Sequence, residues 1–248
     1  MAEVRRILLA LDPGTLQGRT PELAAALAAE ISAEIDALLI ENAALRIAAS
    51  LPFTRETLTS SGAARSLTVD DLALAFQVLA RQAERRLARL AGPGGPRWTL
   101  RSVSGDPVAE IAAAAPGSDL LIVGRSLDGP LGLEQMRRIA RQLGRPVLFV
   151  GDAPGRLTAV SLVFEGPDFN GGSLAIASAL ARALSGEITI YFPLAADSSP
   201  SPADVLRSAV AALPRGLRVA VAALADSDLP DTRERAVLVV PELIFDRA

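Results

Sequence analysis

The 248-residue chain has no histidine, no cysteine and no lysine, so all 25 of its cations are arginine. Those absences remove much of ordinary catalytic chemistry. Without His or Cys there is no Ser-His-Asp or Cys-His arrangement, no imidazole or thiolate metal site and no disulfide. Without Lys there is no Schiff base and no phosphate-loop lysine. Arginine stays protonated and is no ordinary base, so acid–base work would fall to carboxylates or to Tyr191. The expectation is a protein that is not an enzyme and holds no metal. Aromatic residues are only 4% against 50% hydrophobic, so any core must be built from Ala, Leu, Val and Ile. A formal charge of −3 supplies no basic field for nucleic acid and no polybasic membrane signal. No uncharged stretch approaches the ~18 apolar residues of a membrane span. The opening MAEVRRILLALD contains a charged strand rather than a signal peptide, which makes cytoplasmic the expected location.

What is present is α/β grammar. Residues 4–11, VRRILLAL, end in the apolar run of a buried parallel strand, and Asp12-Pro13-Gly14 turns the chain. Thr20-Pro21-Glu22 reads as a helix start with Thr20 as N-cap. A second strand covers roughly 35–40. Residues 41–66 are too long for a minimal strand–helix loop, and their LRIAASLPF portion is apolar enough for a short helix or flap. Leu51, Pro52 and Phe53 are expected to pack near Asp12 over the sheet's carboxyl end. Thr68-Val69-Asp70-Asp71 resembles an acidic capping box opening a helix to about Leu90, with Leu72, Phe76, Leu79, Ala83, Leu87 and Leu90 as its core stripe. Gly92–Pro96 breaks the chain before an exposed strand at 97–103. Asp106-Pro107 caps a helix, DLLIV (119–123) forms a central strand, and LEQMRRIARQL a further helix stopped by Gly144. Pro146 then opens PVLFV. The order is β-α-β-α-β-α-β-α-β, an open parallel sheet with helices on both faces.

Beyond a link at 151–156 the grammar begins again. Residues 9–35 align without a gap on residues 162–188, with nine of 27 positions identical, among them Gly18/Gly171, Ser32/Ser185, Glu34/Glu187 and Ile35/Ile188. The second unit shows strand 157–164, helix 173–184, strand 187–192, helix about 202–213 and strands 216–223 and 235–240. Its third helix is short or absent, and it lacks a fourth helix and fifth strand. The fold expected is therefore α/β, with two open parallel-sheet, Rossmann-like units in tandem, 1–151 and a degenerate, truncated 152–248.

RRILLALD at the start, SGDPVAEIAAAAPGSDLLIVG in the middle and RPVLFV after a basic helix give 4–151 the look of a universal stress protein domain. The second unit resembles a degenerate copy. That resemblance implies a stress-response role and, in many members, ATP at the carboxyl ends of the strands. It assigns the nucleoside-contacting acid to Asp12, the strand-two backbone contact to Ile40 and the first glycine of a G-x2-G-x9-G-[ST] phosphate loop to Gly124. Beyond Gly124 the pattern degrades to Arg125-Ser126-Leu127-Asp128-Gly129-Pro130-Leu131-Gly132-Leu133-Glu134, a loop about four residues short in which Leu133-Glu134 replaces Gly-[ST]. Glu134 brings a carboxylate to the helix start where a phosphate would sit. Arg125 and Ser126 remain able to meet an anion, and Gly129 and Gly132 leave a flexible turn. In the second unit Glu165 replaces the acid and Pro241 the glycine, and proline offers no N–H.

Blander readings stand beside these. Asp12 suits a turn, Gly124 a tight strand exit, Gly129 and Gly132 loop punctuation, and Arg125 a solvated or ion-paired surface. The leading expectation is a non-catalytic universal stress-like protein acting by protein association or small-ligand binding, with standard ATP binding lost and no cofactor. The competing one is an ATP-binding, weakly hydrolysing protein with a divergent phosphate loop. An α/β enzyme of the nucleotide-binding alpha-hydrolase type has no motif here. Because the second unit ends one strand early, residues 146–150 are expected between the units, with a remaining sheet edge open to a homodimer or other protein partner.

Overall fold

The computed structural model describes residues 4–51, 54–57, 64–124, 133–151, 159–164, 171–184, 187–193, 211, 218–224 and 235–240. Strand β1 (Arg6–Leu11) is buried from Ile7 onward and β6 (Leu120–Gly124) throughout, as their unbroken apolar runs require. They are flanked by β2 (Glu34–Asn42) and by β7 (Val147–Val150), while β5 (Trp98–Gly105) lies outermost, beside β2. The order β5-β2-β1-β6-β7 is parallel throughout. Exposure alternates along much of β5, the signature of a strand covered on one face only.

Four more strands continue this sheet: β8 (Ala159–Phe164), β9 (Glu187–Pro193), β10 (Val219–Leu224) and β11 (Arg235–Val240). Their order, β10-β9-β8-β11, repeats the relative order β5-β2-β1-β6. The join is β7 against β11, antiparallel, with Val150 opposite Ala236 and Leu148 opposite Leu238. The described strands thus form one nine-stranded α/β sheet, parallel except at that join, in addition to a small hairpin. Residues 236–239 consequently face β7 on one side and β8 on the other, and the edges of the described sheet are β5 and β10. Leu148 and Val150 are fully buried.

Side chains alternate between two core layers. Ile7, Leu9, Leu120, Ile122 and Leu148 enter one layer with α2 (Thr20–Ile31) and α7 (Gly171–Leu184). Leu8, Leu121, Val147 and Phe149 enter the other with α5 (Pro107–Ala114) and α6 (Leu133–Leu143). Ala24 and Ala28 of α2 and Ala177 and Ala181 of α7 are fully buried in the first layer, where the two helices pack together. Small side chains let helices approach closely, which is how a core so poor in aromatics is filled.

Local signals set most helix ends. Thr68 caps the long helix α4 (Val69–Ala91) in a reciprocal box with Asp71, as expected, and Asp106 accepts from the Ala109 N–H at the start of α5. Gly144, at φ +59°, ends α6. Thr20 departs from expectation. The N-cap of α2 is Arg19, with no side-chain cap bond, and Thr20 is its buried first residue. A short helix, α1 (Pro13–Gln17), precedes it and carries Thr20 into the interior. Segment 41–66 contains α3 (Ala43–Ser50) and an antiparallel hairpin of β3 (Arg55–Thr57) and β4 (Ala64–Ser66). All but residue 211 of the expected helix at 202–213, most of the 151–156 link, Glu165 and Pro241 lie outside the described residues.

Candidate functional site

The carboxyl ends of β1, β2 and β6 open into a cavity of about 250 Å3. Open parallel sheets generally offer ligand sites at this end. Its floor is sheet: Ala10, Ile40 and Val123, with Asp12 and Gly124 at the strand exits. One wall is the first half of α4, through Leu72, Ala75, Phe76 and Leu79. Leu45 of α3 and Ile111 of α5 complete an almost wholly aliphatic lining. Among the described lining residues the charged ones are Asp12 and Glu41, both acidic. Glu41 pairs with Arg46 at 3.6 Å.

Asp12 does structural work first. It is 94% buried by position at the base of α1 (6% exposed). Its Oδ1 accepts from the Thr15 N–H at 2.6 Å and from the Thr15 hydroxyl at 3.0 Å, while its own N–H donates to Thr15 Oγ1 at 2.8 Å. This is a complete capping box, so the carboxylate satisfies donors of a helix start that would otherwise be orphaned in the interior. Gly124 is set by the same turn. A Cβ there would lie 2.6 Å from Thr15 Cβ and 2.8 Å from Thr20 Oγ1, with Thr15 Cγ2 closer still. Only glycine lets β6 end against α1 and α2.

Three of the residues singled out from sequence, Asp12, Ile40 and Gly124, therefore meet around one cavity. Arg125, Ser126, Gly129 and Gly132 lie outside the described residues. α6 begins at Leu133, which makes Glu134 its second residue. Sequence reasoning missed Glu41, Leu45 and Ala75. It also placed all of the α4 stripe in the core, whereas the stripe divides. Ala83 and Leu87 are buried, Phe76 and Leu79 pack partly covered against the core and also line the cavity, and the partly covered Leu72 lines the cavity. Helical periodicity shows that a face turns inward, not whether it meets side chains or a void. Leu51 is not the cover expected of it. It is 58% exposed, and Leu45 reaches the cavity instead, while Pro52 and Phe53 lie outside the described residues. No cluster of three or more His, Cys, Asp or Glu side chains suited to a metal ion occurs among the described residues. Among those residues no helix is long and apolar enough to cross a membrane.

No protein-family model matches the chain, and no curated protein does either. Solved structures do. A universal stress protein from Archaeoglobus fulgidus aligns at 15% identity over 89% of this chain and 79% of its own, with a TM-score of 0.49. A putative universal stress protein from Pseudomonas aeruginosa aligns at 15% identity over 96% and 93%, with a TM-score of 0.47. The cytoplasmic domain of a prokaryotic cation chloride cotransporter aligns at 13% identity over 95% of both chains, at 0.48. The similarity is one of chain path. A shared fold hosts many unrelated functions, so function has to be argued from the site.

Proposed function

We propose that the chain is a non-catalytic universal stress-like protein with two tandem units, 1–151 and a degenerate 152–248, that binds a small ligand at the β1–β2–β6 cavity without the standard ATP chemistry. The repeated strand order and the motifs RRILLALD and SGDPVAEIAAAAPGSDLLIVG support the family and tandem reading. The observation that carries the binding reading is the lining itself. Aliphatic and aromatic walls, Asp12 and Glu41 at the polar end and no cation among the described lining residues suit an uncharged apolar molecule better than a triphosphate. An apolar cavity of ~150 Å3 accommodates benzene. The larger cavity here, about 250 Å3, suits a ligand of fused-ring size. Association with a protein partner is the second mode, and β5 and β10, the edge strands of the described sheet, offer backbone for it.

Three measurements test this. Purified protein is expected to carry no adenine nucleotide by absorbance and mass spectrometry, and Mg-ATP titration calorimetry is expected to show no heat of binding. A neutral naphthyl fluorophore is expected to bind and to be displaced by Leu72→Glu, which places a third carboxylate in the lining. Micromolar Mg-ATP binding that disappears in an Asp12 variant with intact fold would favour the ATP-binding alternative.

A further inference from the structure

Helix α4 has two faces. Phe76, Ala83 and Leu87 turn inward. On the opposite side stand Asp70 and Asp71 and then, at steps of three and four residues, Leu74, Val78, Arg81 and Arg85. Leu74 is 64% exposed and Val78 46% exposed, and Asp70, Arg81 and Arg85 are exposed too. The outer stripe therefore reads acidic, apolar, basic along the helix. A solvated helix face has no need of two adjacent aliphatics at its centre or of charges sorted by sign.

We propose that this stripe is a self-complementary face on which a second copy of the chain docks its own α4 antiparallel. The two-fold axis passes midway between Leu74 and Val78. Leu74 then meets Val78 of the second copy and the reverse, as a two-fold interface demands. Asp71 and Arg81 each lie five residues from that midpoint, about 7.5 Å along the helix axis, so each acid comes level with an arginine of the other copy. Asp70 falls within a turn of Arg81 and Arg85 in the same arrangement. A parallel pairing would set acid on acid and arginine on arginine, so the charge order selects the antiparallel one. α3 packs beside α4, and its Ile47 is 64% exposed. A stable interface buries about 800 Å2 per partner. Two aliphatic side chains and their neighbours fall short of that, so the dimer is weak, concentration-dependent and salt-sensitive.

Sedimentation of the full chain over a wide concentration range tests the face. A monomer–dimer equilibrium is expected that weakens at high salt and roughly tenfold or more in Arg81→Glu, which sets a carboxylate opposite Asp71. Because the chain has no cysteine, orientation can be read directly. Leu74→Cys mixed with Val78→Cys is expected to oxidise to a mixed disulfide dimer faster than either variant alone. Circular dichroism confirms that each variant is folded. A chain that stays monomeric at every concentration, or a dimer indifferent to Arg81→Glu and held through an edge strand or another surface, overturns the proposal.

Discussion

Arg182 of α7 donates from Nε to Glu30 Oε1 of α2 at 2.7 Å, and from Nη1 to Ser178 Oγ at 2.9 Å. The pair closes a contact between helices that occupy corresponding places in the repeated segments 9–35 and 162–188. Their side chains remain 43% and 39% exposed, so solvent screens the attraction. Beneath the pair lies the packing that matters more, the fully buried Ala24, Ala28, Ala177 and Ala181.

Arg182→Ala is expected to lower stability by less than about 1 kcal/mol, and the loss should shrink with added salt. Ala177→Leu is expected to cost about 1–3 kcal/mol, because Ala177 is fully buried in the core. Urea unfolding of both variants checks the ranking, and an equal cost would mean that the ion pair holds the helices.

Asp12→Ala separates the structural role of this acid from a ligand role. Loss of the box with Thr15 is expected to cost about 0.5–2 kcal/mol. The variant should show that loss in thermal melting without nucleotide present, and Mg-ATP should stabilise neither wild type nor variant.

Gly124→Ala is expected to destabilise the protein by about 1–3 kcal/mol, since the new methyl meets Thr15 and Thr20 Oγ1. Thr15→Ser removes the nearest carbon. Combined with Gly124→Ala it should therefore cost less than the two changes summed. Strict additivity in denaturant melts would show that Gly124 does not set the approach of α1 to β6.

Leu148→Ala is expected to cost about 2–5 kcal/mol, as for a fully buried leucine, and Leu148→Lys should aggregate. Because β7 pairs with β11, segments 1–151 and 152–248 expressed apart are each expected to be poorly soluble and to recover when co-expressed. Two stable monomers with no mutual affinity would contradict the join.

Much of this architecture is written in short range. Thr68 with Asp71, Asp106 with Pro107 and Gly144 each mark a helix end through bonds or dihedrals spanning a few residues, so they could be read from the chain alone. The apolar runs of β1 and β6 likewise announce buried parallel strands, and the absence of Lys, His and Cys bounds the chemistry before any fold is known. Tertiary structure decided the rest. Whether Leu72, Phe76 and Leu79 face core or cavity depends on how α4 crosses strands far away in sequence. Whether Asp12 waits for a ligand or caps a helix depends on Thr15 folding back against Gly124, more than a hundred residues further along the chain. The antiparallel register of β7 on β11 depends on two strands nearly ninety residues apart. Periodicity specifies which face of an element is apolar, and only long-range packing specifies what that face will meet.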